Sequence, residues 1–374
     1  MPKNSPGLSV NVPTPVPAPS ARRLFGTPLG PNNSLNLIRL VLAALVLVAH
    51  SYPLTGRLDE APPVSGQGLG GWAVAGFFAI SGYLITASRQ RTGFAYFLLL
   101  RIGRIFPAFL AVLAATVLLF APIAQLVNHG TLAGYLTTGP SPTSYLYLNM
   151  FLEMRSFAIG DTLSSVPYPD AWNGSLWTLY YEFLCYLIIG VLLIWGRART
   201  SAWPVALAFV VSVALYTQVD LVNTAGGSHT AGLLMSLLPY FLGGALIRLL
   251  QPYIGLHWIA GVLALVVFTL GVQFGPVWAG QALSPLYGYG LLWLSTVIPQ
   301  PKWVAKNDVS YGVYIYAFPV QQLLAVFGLA SLSIASFSLL AFVITFVFAV
   351  ASWYWVERPA LRRTRIATGR PADR

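Results

Sequence analysis

Two residues able to do chemistry stand in the apolar run LIRLVLAALVLVAHS, Leu37 to Ser51: Arg39 and His50. Eleven residues turn an α-helix through about 1,100°, three turns plus roughly 20°, so both side chains share a face about 16 Å apart along the axis. A guanidinium suits anionic groups, and an imidazole suits proton or group transfer near neutral pH. Exposure of either to lipid is costly, so the shared face has to look into a helix bundle or water. The purely structural alternatives are snorkelling of Arg39 and a satisfied polar bridge at His50.

Three further runs carry polar residues in apolar surroundings. In GSLWTLYYEFLCY, Gly174 to Tyr186, Glu182 follows Ser175 by seven residues and shares its face. Glu182 is the only acid well inside a predicted span, and a buried carboxylate needs a cation or hydrogen-bond donors. In LLLRIGRIFPAFL, Leu98 to Leu110, Arg101 and Arg104 are three apart on one face. Two guanidiniums there suit phosphate groups, with lipid headgroups as the alternative partner. FFAISGYLI, Phe77 to Ile85, sets Ser81 beside Gly82, a small pair that lets a helix or a ligand approach closely.

The elements that must position these residues are membrane helices. The chain has 374 residues, of which 56% are hydrophobic and 8% charged, with a mean hydropathy of +0.70. A soluble domain carries roughly a quarter charged residues. Ten apolar segments approach the length of about 20 residues that a span needs: 35–53, 70–88, 98–125, 174–195, 202–219, 230–250, 257–274, 279–298, 309–328 and 331–355. Pro107 and Pro122 interrupt the third. The expected fold is all-α, a polytopic membrane helix bundle of about ten transmembrane helices.

Charge sets the orientation. With the N-terminus in the cytoplasm, only Arg57 and Arg155 of the 21 basic residues fall outside, while Asp59, Glu60, Glu153, Asp161, Asp170 and Asp220 all do. That asymmetry predicts both termini inside. The net charge of +11 therefore follows topology and does not point to nucleic acid. Residues 1–33, rich in Pro, Ser and Asn, read as a disordered cytoplasmic tail with no cleavable signal. Residues 34–360 form the membrane domain, and 361–374 a basic cytoplasmic tail. The longest loop, about 126–172, faces outward.

Several patterns carry no chemistry. The single cysteine, Cys185, excludes a disulfide framework and a thiolate zinc site. Gly66, Gly68 and Gly71 fit GxGxxG, but no strand precedes them, so they read as a loop. Two N-glycosylation patterns, at Asn32 and Asn173, lie inside or against a span. His129, His229 and His257 have no metal-ligand spacing, and no metal is expected.

Taken together, the quoted segments resemble the acyltransferase-3 family of integral membrane acyltransferases. LNLIRLVLAALVLVAHS is similar to that family's Arg-x10-His first helix, FFAISGYLI to its FFxxSG motif, and RIGRIFPAF to its Arg-x-x-Arg-x-x-Pro segment. GSLWTLYYEFLCY resembles its Ser-Leu-Trp-x-Leu-x-x-Glu motif, DVSYGVYIYAFPVQQ its Ser-Tyr-Gly-x-Tyr segment, and VERP its closing Glu-x-Pro. Six motifs follow the family's order from residue 35 to about 360. Asn36 departs where many members carry an acid, and Ala317 where many carry a histidine.

The resemblance implies transfer of an acyl group, commonly acetyl, from cytoplasmic acyl-CoA to a hydroxyl of a surface or secreted carbohydrate, in a bacterial inner membrane. No bound cofactor is implied; acetyl-CoA is a co-substrate. Under it, His50 is a general base or acyl carrier, and Glu182 orients or charges a catalytic partner such as His50. Arg39, Arg101 and Arg104 bind the acyl-CoA donor, and Ser81, Ser175, Trp177 and Tyr311 line the pocket. Glu357 pairs with inner-face cations. The competing reading is a transporter or exporter of a glycan or small substrate, since transporters also bury Arg, His and Glu.

Overall fold

The computed structural model describes residues 25–219 and 229–367. Most of the expected N-terminal tail, Asp220, the His229 side chain and the end of the basic tail lie outside the described residues. All ten apolar segments are helical. The helices are α1 (Leu35–Leu54), α2 (Gly68–Gln90), α3 (Phe94–Ala115), α4 (Ala121–His129), α5 (Pro142–Asn149), α6 (Thr178–Leu192), α7 (Trp203–Tyr216) and α8 (His229–Leu250). They continue as α9 (Trp258–Phe274), α10 (Ala279–Ala282), α11 (Ser284–Val297), α12 (Lys302–Lys306), α13 (Ser310–Val326), α14 (Ile334–Ser352) and α15 (Arg358–Ala367).

Among the described residues there is no strand, only two isolated bridges that pair Phe25 with Ile254 and Thr27 with Leu256. The stretch 25–33, read from composition as tail, is therefore held against the chain that follows α8. Backbone hydrogen bonds between Thr27 and Leu256, at 2.6 and 3.1 Å, do this without any large side chain that composition would register.

Among the described residues five helices are long and apolar enough to cross a membrane: Leu35–Leu54, Gly68–Gln90, Phe94–His129, Thr230–Leu250 and Ile334–Ile366. The proline interruptions do not split Phe94–His129. Instead a π-turn, Thr116–Phe120, precedes Pro122. Proline lacks an N–H and crowds the carbonyl one turn back, and a widened turn relieves both.

Packing explains how polar residues come to face inward. Every residue of α13 except Leu323 is buried, so this helix is the shaft of the bundle. On it lies α1, fixed in register by Gln321, whose Nε2 donates to the Leu47 carbonyl (2.9 Å) and Ser51 Oγ (2.8 Å). The pair α2 and α8 approaches closely because it has no side chains in the way. A Cβ on Gly82 would sit 1.8 Å from the Phe241 carbonyl oxygen, and one on Gly244 would sit 1.9 Å from that of Ala79. Gly82 is thus a packing residue, as the small-residue rule for membrane helices expects.

Candidate functional site

At the end of the bundle that carries most of its basic residues, the cations are tied to acids. Arg39 Nη1 and Arg104 Nη2 (2.6 Å) both donate to Asp308 Oδ2, just before α13, and Arg104 Nη1 reaches Glu357 at 3.3 Å. Ser310 Oγ donates to the other Asp308 oxygen at 2.6 Å. The Arg104 guanidinium also lies 5.6 Å from the Tyr311 ring and 5.9 Å from that of Trp353. Asp308 precedes the span; burial pushes its carboxyl up, but Arg39 and Arg104 outweigh that and hold it at about 2. Sequence reasoning missed Asp308. The signal was present, since it begins the DVSYG segment and is an acid at the mouth of a span. Asn36, at the expected acid position, instead donates to the Val304 carbonyl at 3.1 Å.

The structure does not bring Arg101 and Arg104 together on one anion site. Arg104 is neutralised as above. Arg101 lies 5.9 Å from the Phe97 ring, and its Nε is buried with no hydrogen-bond partner. Glu357 pairs with Arg104, as the sequence expects.

Glu182 lies deeper, on α6. Its Oε1 accepts from Ser81 Oγ (2.7 Å) on α2 and from Tyr186 OH (2.6 Å) one turn along α6. Glu182, Arg39, Tyr311, Phe77 and Tyr314 line a narrow cavity of about 30 Å³, room for little more than water. This is the waist of the site.

Toward the opposite end the waist gives onto a cavity of about 320 Å³. The two share Val74, Thr178 and Tyr314. Tyr314 OH and Thr178 Oγ1 bond across this boundary at 2.5 Å, and Tyr314 OH also donates to the Ser175 carbonyl at 2.9 Å. His50 lines the larger cavity with Ser175 and Trp177. Its Nδ1 is buried with no partner, and its ring meets the edge of Phe318 with centroids 5.1 Å apart. Gly174 makes room for that phenyl ring, because a Cβ there would be 2.5 Å from two of its carbons.

A third cavity, about 390 Å³, adjoins the second through Trp177 and Leu233. Its walls are Phe157, Trp177, Tyr180 and Tyr181, with Glu153 from the long loop. That loop is ordered by Asn149, which accepts from the backbone N–H groups of Arg155 (2.8 Å) and Ser156 (3.0 Å).

The expected residues thus fall into groups. Arg39, Glu182, Ser81 and Tyr311 meet at or beside the waist, and His50, Ser175 and Trp177 line the next cavity. Glu182 and His50 are not joined; they line neighbouring cavities on either side of Tyr314. Tyr186, Tyr314 and Phe318 complete the site without having been singled out, since each sits in an aromatic run where core packing hides it. Among the described residues no three His, Cys, Asp or Glu side chains cluster as a metal-ligand set.

No solved structure matches this chain. A protein of Shigella phage Sf6, named O-acetyl transferase, is 29% identical over 352 residues, covering 89% of this chain and 97% of that one. Nodulation protein 10 of Rhizobium leguminosarum bv. viciae is 28% identical over 382 residues, covering 91% and 96%. The acyltransferase domain of the acyltransferase-3 family matches residues 32–358, nearly the whole helical bundle with both its basic end and its His50 cavity. The chain belongs to that family and is an acyltransferase.

Proposed function

We propose that the protein is a membrane O-acyltransferase that takes an acetyl group from acetyl-CoA on the cytoplasmic side and delivers it to a hydroxyl of a surface or secreted carbohydrate. One observation carries the reading. Cavities joined by shared residues run from Arg39 and Glu182 past His50 to an aromatic chamber, so two reactants approaching from opposite ends meet inside the bundle. The phage relative's name supports acetyl. The walls of Trp177, Tyr180 and Tyr181 suit a carbohydrate, whose rings pack on aromatic faces while its hydroxyls meet groups such as Glu153.

In this reading all ten helical segments cross a bacterial inner membrane with both termini inside, as the distribution of basic residues favours. His50 acts as the general base. Burial of Nδ1 leaves Nε2 to face the acceptor. Nε2 takes the proton of the acceptor hydroxyl as its oxygen bonds the thioester carbonyl carbon. The C–S bond then breaks, and the imidazolium returns the proton to the leaving thiolate. Glu182, held by Ser81 and Tyr186, places negative charge opposite Arg39 at the waist and orients the arm of the donor there.

The test compares O-acyl esters on the host's surface glycans in a deletion strain carrying either the wild-type gene or His50→Ala. Membrane levels of both proteins are checked, and acetyl-CoA consumption is followed in the purified protein. Esters restored by wild type and absent with the variant are expected. Equal esterification in both strains removes His50 from the chemistry.

A further inference from the structure

Arg39 and Arg104 spend their charge on Asp308 and Glu357, so neither is free for a phosphate. Two other guanidiniums at the same end are differently placed. Arg91 is exposed and ion-pairs with none of the described residues. Arg248 donates to neutral amides, Nε to Gln90 Oε1 at 2.9 Å and Nη1 to Gln251 Oε1, and lies 5.8 Å from the Tyr83 ring. Both line a cleft of about 560 Å³ that Leu29, Gly30 and Pro31 close on one side.

One edge of the cleft meets the side of α2 that lines the transfer cavities. Leu84 in the cleft stands seven residues from Phe77 at the waist. Ser88 in the cleft stands seven from Ser81, which stands seven from Val74 at the boundary of the His50 cavity. Seven residues turn a helix to within about 20° of two full turns. One edge of the cleft, at Leu84 and Ser88, therefore continues the stripe of α2 that lines the waist and the His50 cavity, while Tyr83 and Arg91 lie further round the helix.

We infer that this cleft is a phosphate-ester site that seats the nucleotide half of acyl-CoA, with Arg91 and Arg248 on its phosphates. The inference rests on the acyl-CoA reading above and locates the donor within it. Guanidiniums without a carboxylate can give both N–H groups to one phosphate. The length of the donor agrees. Leu84, in the cleft, is ten residues from Val74, about 15 Å along the helix and within a quarter turn of its face. The pantetheine arm, from phosphate oxygen to sulfur, has the length of about four extended residues, roughly 14 Å. Phosphates held in the cleft beside Leu84 put the thioester near the Val74–Thr178–Tyr314 boundary, where the waist opens toward His50. An arm threading the waist has to push the Phe77 and Tyr314 rings aside.

A lipid headgroup offers the same phosphate chemistry, so the experiment separates the two sources. The full chain is placed in nanodiscs of phosphatidylcholine alone, or with phosphatidylglycerol added, and titrated with adenosine 3′,5′-bisphosphate by calorimetry. Saturable binding in neutral lipid is expected, weakened about tenfold by Arg91→Gln and lost in Arg91→Gln/Arg248→Gln. Arg91 makes no bond whose loss would disturb folding, so the single variant stands even where the double one misfolds. No saturable binding by wild type in neutral lipid overturns the inference, as does binding that neither variant changes. Complete exclusion of the nucleotide by phosphatidylglycerol assigns the cleft to lipid and also overturns it. Acetyl-CoA turnover is followed alongside. Turnover whose KM the variants leave unmoved removes the cleft and keeps the acyl-CoA reading. Nucleotide binding without turnover by wild type keeps the cleft and removes that reading.

Discussion

The two ends of the Arg39–His50 stripe are built on opposite principles. Around Arg39 the charges answer one another: Arg39 and Arg104 share Asp308, Arg104 reaches Glu357, and Ser310 takes the remaining Asp308 oxygen. At the His50 end the imidazole has an aromatic edge beside it and no bond to its buried nitrogen. A paired buried charge adds little net stability, yet removing one member leaves the others stranded. An imidazole that bonds to nothing can be removed with little harm to the fold, and it remains available to a substrate. One helix face therefore carries a structural cluster and a reactive group three turns apart, and the hydrogen bonds separate the two where residue type does not.

The comparison breaks first at His50. His50→Ala is expected to lower acyl transfer by about 10²–10⁴-fold, the range for loss of a general base. Its thermal unfolding in detergent should match wild type, because no hydrogen bond goes with the ring. A variant that unfolds early but retains transfer would reverse the assignment of the two ends. Asp308→Ala is expected to do the opposite. It strands Arg39, leaves Arg104 with Glu357 alone, and should cost about 3–5 kcal/mol of stability, seen as low membrane yield and early unfolding. Adding Arg39→Met to it should recover part of that yield. A stable, inactive Asp308→Ala protein would move Asp308 from the structural cluster to the reactive site.

Glu182 stands between the two ends and sharpens the contrast. Glu182→Gln keeps an acceptor for Ser81 and Tyr186 and removes the charge. Transfer should fall about tenfold while unfolding stays near wild type, since a hydrogen bond to a neutral acceptor is weaker by about 1 kcal/mol. Unchanged transfer would show that the waist needs the shape of this side chain and not its charge.

Much of this was legible in the sequence because lipid leaves the backbone few choices: apolar runs of span length have to close their own hydrogen bonds as helices. Arg39 and His50 were legible as a pair because helical geometry relates them inside one segment. What the sequence hides is which residues meet across it. Asp308 reaches Arg39 over 269 positions, and Ser81 reaches Glu182 over 101. Hydropathy also fixes depth without fixing company. Arg89 follows the apolar segment 70–88 directly, yet it is wholly buried, with Nε on the Gly190 carbonyl (3.1 Å) and Nη1 on that of Thr92 (2.7 Å). The division of roles between Arg104 and Arg91 has the same origin, because both look alike until the acids that claim one of them are located in space.

The smallest expected effect tests whether the bare imidazole is nevertheless held in place. Phe318 is the one ring pressed on His50 among the described aromatic contacts, and it is buried in a small cluster with Leu54 and Ala171. It can sit there because position 174 has no side chain. Gly174→Ala puts a methyl 2.5 Å from two ring carbons, so the ring has to move. A buried phenyl ring cannot swing far, and the displacement passes to the imidazole edge that it touches. Misplacement of a reacting group by 1 Å costs up to about 10²-fold, and a partial shift here should lower kcat about tenfold with the KM for the donor unchanged. Crowding should also cost about 1–3 kcal/mol of stability. Shortening the ring with Phe318→Leu in the same chain gives the methyl its space, so the double variant should regain stability. If it regains stability alone, Phe318 positions the imidazole and its removal leaves His50 loose. If kcat returns as well, the cavity wall by itself aims His50 and Phe318 is filler. The split between kcat and unfolding temperature decides which of the two holds the reactive end in register.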